Sequence, residues 1–124
     1  RHNQTMAMTK ILIGLVAFLH IYFLVLEMFL WTKPLGRKIF AMSEEKAKIT
    51  AVLAANQGLY NGFLAAGLIW ALAHPEPVIA TQVAIFFLAC VVVAGAYGAM
   101  TVNKRIFVIQ GVPALLALGA VFST

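Results

Sequence analysis

Four apolar runs, each bounded by polar or helix-breaking residues, constrain this chain more than any other feature: Ile11–Trp31, Ile49–Ala73, Val78–Met100 and Ile106–Phe122. At ~1.5 Å per residue, a helix over any of the first three crosses the ~30 Å hydrocarbon core of a bilayer, and one over the fourth barely does. No alternation of period two runs through them, so helices rather than barrel strands are expected. Of the 124 residues 63% are hydrophobic and 10% charged, against about 25% charged in soluble domains. A soluble fold of this composition would expose a large apolar surface. The expected fold is therefore all-α and polytopic, an antiparallel bundle of four transmembrane helices over about 8–31, 44–73, 78–101 and 105–122.

The interruptions are sharp. Lys33-Pro34-Leu35-Gly36 ends the first helix, and Pro34 to Met42 suits a short amphipathic surface segment with Leu35, Ile39 and Phe40 toward lipid. Ser43 can N-cap the second helix, with Glu44 and Glu45 in its first turn, where carboxylates favour the helix dipole. His74-Pro75-Glu76-Pro77 reads as a tight turn, and Asn103-Lys104-Arg105 separates the last two runs. Pro113 lacks an N–H, so the carbonyl of Ile109 loses its helical donor and a kink is expected there. Residues 1–5 read as an expression remnant ahead of a start at Met6, leaving a single domain over 6–124. The first run is not a cleavable signal, because it continues for 21 residues with no small-residue cleavage site.

Charge placement sets the expected topology. Lys33, Arg37, Lys38, Lys46 and Lys48 flank the first connection, and Lys104 and Arg105 occupy the third. On the other side the N-terminus from Met6 holds only Lys10, and the second turn and the C-terminal tail hold no Lys or Arg. The positive-inside rule puts loops 32–43 and 102–105 in the cytoplasm and both termini outside. The implied location is a bacterial inner membrane crossed several times. The net charge of +5 is not that of a nucleic-acid binder, since the basic residues sit at the ends of apolar runs.

Polar residues inside the runs are the candidates for function. Glu27 is the only acid within an apolar run, four residues before Trp31. Acids within spans mark proton or ion pathways unless they pair with a cation or snorkel to the interface. His20 precedes it by seven residues, on nearly the same helical face and roughly 10 Å away along the axis, too far for a direct hydrogen bond. The second run contains Asn56-Gln57-Gly58-Leu59-Tyr60-Asn61-Gly62, in which Asn56, Gln57, Tyr60 and Asn61 span an arc of about 140°. Ala54, Gly58, Gly62 and Ala66 recur every four residues, a small-residue row that permits close helix approach. Counting along the helices puts Asn56, Gln57, Tyr97 and Gln110 in the same cytoplasmic half as Glu27, so all four helices would supply a polar group there. Interhelical glue is the competing role for these carboxamides. Cys90 has no basic neighbour in sequence to activate it. No metal-ligating spacing, Gly-rich phosphate loop or Ser-His-Asp set occurs, and no cofactor is expected.

The pattern His20…Glu27-Met28-Phe29-Leu30-Trp31, the loop Pro34-Leu35-Gly36-Arg37-Lys38 and the segment Asn56 to Gly67 resemble a bacterial family of small four-span membrane proteins catalogued as domain of unknown function 1304. Gly95-Ala96-Tyr97-Gly98 adds a weaker match, and the resemblance covers nearly all of the chain from Met6. It implies a four-helix inner-membrane protein and supplies no substrate. Read from the residues, the first expectation is a proton-coupled transporter or channel-like protein. It would form a homodimer, because four short helices enclose little volume. The alternative is a binding protein for a lipid or small apolar ligand, or an accessory subunit of a membrane complex. An enzyme using Glu27 and His20 as acid and base would lack a nucleophile or metal. Expected partners are membrane lipids, a second copy, and a proton or small molecule.

Overall fold

The computed structural model describes residues 2–124, and among these the chain is helical with no strand. Helix α1 covers His2–Met28, α2 Pro34–Ile39, α3 Glu44–Ala73 and α4 Pro77–Thr101. A π-helical turn, Phe107–Gly111, runs directly into α5, Val112–Ser123. Of the expected remnant, Arg1 lies outside the described residues and the rest continues α1. Adding residues to an existing helix costs far less than nucleating one.

Local chemistry fixes the ends. The Ser43 hydroxyl accepts the Lys46 backbone N–H at 3.1 Å, and Glu44 and Glu45 fill the first turn of α3. Pro34 opens α2 at a position that needs no donor. Its C-terminus closes by the paired bonds of a Schellman motif: Met42 N–H donates to the Arg37 carbonyl at 2.9 Å and Ala41 N–H to that of Lys38 at 3.3 Å. Ala41 sits at φ 52°, a left-handed position where glycine is usual. The turn before α4 is tied by the Glu76 N–H donating to His74 Nδ1 at 3.0 Å. At the expected kink the helix widens into the π turn, with Val112 N–H reaching the Phe107 carbonyl five residues back. Pro113 follows at once, so the widened turn lies where the regular bonding pattern is interrupted.

Among the described residues two helices are long and apolar enough to cross a membrane, Asn3–Met28 with mean hydropathy 2.3 and Pro77–Thr101 with 2.5. Phe107–Ser123 is apolar but shorter. Helix α3 has 30 residues, yet its charged first turn and central carboxamides dilute its hydropathy. Large apolar side chains stand exposed on every long helix, among them Phe18, Val52, Leu53, Val93, Met100 and Leu116.

The chain divides into two compact units, Arg1–Leu19 with Leu64–Thr124, and His20–Phe63. In the first, segments of four helices share one core. Ile13, Val16 and Ala17 meet Leu68 and Ala71, the row Ala84, Leu88 and Val91, and the row Ala114, Ala117 and Val121. Small residues dominate the closest contacts, as in membrane helix packing. A Cβ on Gly95 would lie 2.9 Å from the backbone nitrogen of Gly111, so α4 and the π turn touch backbone to backbone. Thr9 donates from α1 to the Ala120 carbonyl of α5 at 3.2 Å. In the second unit the loop folds on itself around Gly36, where a Cβ would collide with the Leu30 carbonyl oxygen. Trp31 donates its indole N–H to Thr50 at 3.0 Å and stacks obliquely on Phe40 with centroids 4.7 Å apart.

Candidate functional site

The site is built where the end of α1 meets the middle of α3 inside the second unit. Asn61 Nδ2 donates to Glu27 Oε1 at 2.6 Å. Asn61 is only 4% exposed, and Glu27 is half-buried. Gly58, one turn before Asn61, makes this contact possible. A Cβ there would stand 2.6 Å from Met28 Cγ, 3.1 Å from Glu27 Cβ and 3.3 Å from the Leu24 carbonyl oxygen. A Cβ on Gly62 would meet Leu24 Cδ1 at 2.7 Å. The missing side chains let the helices approach closely enough for a short amide–carboxyl bond. The described ion pair, Lys48 with Glu44 at 3.4 Å, does not involve Glu27. The acid's hydrogen-bond partner is a neutral carboxamide rather than a first-loop Lys or Arg.

The carboxamide arc separates into two sides. Asn61 lies on the packed face, in the buried row Ala54, Gly58, Asn61, Ala65 and Leu68. Asn56, Gln57 and Tyr60 lie on the exposed face. Asn56 turns its amide back to the Val52 carbonyl at 2.9 Å, and Tyr60 is 56% exposed with its ring 6.1 Å from Phe63. The reason is the spacing. A row repeating every four residues advances by about 40° per step, so by Ala66 it has turned roughly 120° away from Ala54. Ala66 is accordingly exposed. Alternating steps of four and three stay on one side, which brings Asn61 in with Gly58.

His20 is completely buried, its ring edge-on to Phe23 with centroids 5.4 Å apart. Tyr97 and Gln110 belong to the first unit. Tyr97 is 68% exposed beside a shallow apolar depression that includes Phe86 and Cys90, and Gln110 is half-buried in the π turn. Among the described residues no group of three His, Cys, Asp or Glu could hold a metal ion. The Trp31–Thr50 bond was not anticipated. Its signal was available, since a tryptophan near a helix end seeks an acceptor for its N–H.

Chemically, the pair can hold a proton without coming apart. Glu27 Oε1 accepts the amide hydrogen whether it belongs to a carboxylate or is the carbonyl oxygen of the acid. An Arg or Lys partner would instead hold the ionised form.

Comparison with known proteins is consistent over nearly the whole chain. A relative from Lactococcus lactis subsp. lactis (strain IL1403), described as uncharacterized protein YpaA, is 34% identical over 113 residues, covering 90% of this chain and 93% of its own. No solved structure matches. A family described as protein of unknown function (DUF1304) matches residues 14–122, within which Glu27, Gly58 and Asn61 all fall. The chain belongs to this DUF1304 family.

Proposed function

We propose that this protein crosses a bacterial inner membrane four times and works as a proton-coupled transporter or channel-like protein, with Glu27 as the group that takes up and releases the proton. The observation that carries the reading is the bond between Glu27 and the neutral, buried Asn61. An acid held in place by a partner that tolerates both protonation states is suited to exchange. The basic residues around the first and third connections support a cytoplasmic position for this end of α1. A second copy completes the path in this reading. The exposed Asn56, Gln57 and Tyr60 would face each other across a two-fold axis normal to the membrane, at matching depth and with self-complementary amide groups.

The test is purified protein in liposomes carrying a pH-sensitive dye, with an imposed potential. Wild type is expected to acidify or alkalinise the lumen and Glu27→Gln to be silent. Equal flux from both proteins overturns the reading. The exposed carboxamide face also favours a second reading, an accessory subunit that docks on another membrane protein. Co-purification of a stoichiometric partner in mild detergent, lost on Gln57→Leu, would support that one.

A further inference from the structure

We propose that the first unit carries a separate binding site for an anionic amphiphile, a carboxylate or phosphate headgroup with a short apolar chain. A cavity of about 200 Å³ opens where the first turns of α1, the end of α3, the start of α4 and the end of α5 come together. Its inner wall is apolar, formed by Ile13, Ala84 and Val121. Its polar lining includes Lys10, His74, Thr81 and Thr124, and no Asp or Glu side chain lines it. His74 accepts the Glu76 N–H on Nδ1, so its ring hydrogen sits on Nε2 and the side chain offers a donor. Thr9, also in the wall, has its hydroxyl engaged with the carbonyls of Thr5 and Ala120. Lys10 is thus the one charged side chain of the lining and His74 brings a ring donor, beside the apolar wall.

That chemistry selects for a headgroup and a tail together. A bare anion would leave the apolar wall unused, and a neutral hydrocarbon would leave Lys10 without a counter-ion. The volume is equivalent to about seven water molecules, and a methylene occupies much the same space as a water, so a chain of roughly six to eight carbons fits. The cavity is smaller than the usual range for drug-sized ligands, which argues for a single chain. By its position in the sequence Lys10 bears only on topology; its place in this wall gives it a second role. The inference does not depend on Glu27, which lies in the other unit.

The experiment uses the full chain in nanodiscs of zwitterionic lipid, titrated with octanoate, octanol and octylammonium by calorimetry. Octanoate is expected to saturate, octanol to bind more weakly and octylammonium not to bind above background. Lys10→Gln removes one charge-assisted hydrogen bond and should weaken octanoate about tenfold while leaving octanol unchanged. Lys10→Arg should restore binding. Thr81→Phe, at an exposed position that does not threaten the fold, should block both ligands. A parallel arm measures phosphatidylglycerol retained through purification by native mass spectrometry. If that lipid is retained in a Lys10-dependent way and octanoate does not bind, the source of the headgroup is the bilayer. If neither anionic probe outcompetes octanol, or Lys10→Gln changes neither, the proposal is overturned.

Discussion

Gly95→Ala tests the backbone contact that joins α4 to the π turn. A Cβ at this position would lie 2.9 Å from Gly111 N, 3.1 Å from Gly111 Cα and 3.6 Å from the carbonyl carbon of Gln110. All three are main-chain atoms, so no rotamer change relieves the overlap. Restoring an ordinary contact requires the two segments to separate by about 0.5 Å. Overpacking of this kind costs about 1–3 kcal/mol, against which alanine gains ~1 kcal/mol over glycine in helix propensity. The net expectation is a loss of roughly 1 kcal/mol. Gly119→Ala is the internal control, because nothing lies within 4 Å of the added methyl and only the propensity gain remains. The two variants should differ by about 2 kcal/mol, a factor of about 30 in the folded-to-unfolded ratio. Reversible unfolding in mixed micelles, followed by circular dichroism, reads this directly. Equal stabilisation by both alanines would refute the close packing.

Two further outcomes follow from other contacts. A double-mutant cycle with Glu27→Ala and Asn61→Ala should return a coupling of about 1 kcal/mol in an unfolding assay, the scale of interhelical hydrogen bonds in membranes; additive effects would show that the bond does not hold the helices. Ala41→Gly should stabilise the protein by about 0.5–1 kcal/mol, since the left-handed conformation at φ 52° is costly for any residue with a Cβ, and an unchanged or lower melting temperature would count against the cap geometry.

Much of the fold was legible because the signals were local. Ser43 with Glu44 and Glu45 marked the start of α3, and the prolines at 75 and 77 marked the turn into α4. Pro113 pointed to an irregularity, which took the form of a widened turn rather than a simple kink. The end of α1 at Met28, short of the expected Trp31, was less legible. It depends on how the chain folds back around Gly36, a contact between residues that no periodicity reports. The same limit applied to the site. Polar residues could be counted and assigned a depth, but helix rotation is set by packing. Asn61 was therefore grouped with Gln57 and Tyr60, whereas its burial goes with Gly58. The cavity that Lys10 lines is the clearest case, because its wall comes from four different helices and could not be read from neighbours in sequence.

The π turn at Phe107–Gly111 makes this part of the chain tolerant of a change in length. A π turn takes up one residue more than an α turn, so the extra residue is accommodated without turning the helix on either side. The buried positions Ala114, Ala117 and Val121 keep their inward direction because the wide turn absorbs that residue. Deleting one residue between 107 and 111 should let the turn close to an ordinary α turn and leave those positions buried. Deleting one between Ala114 and Ala117, where no wide turn absorbs it, would rotate Ala117 and Val121 by about 100° and send them outward.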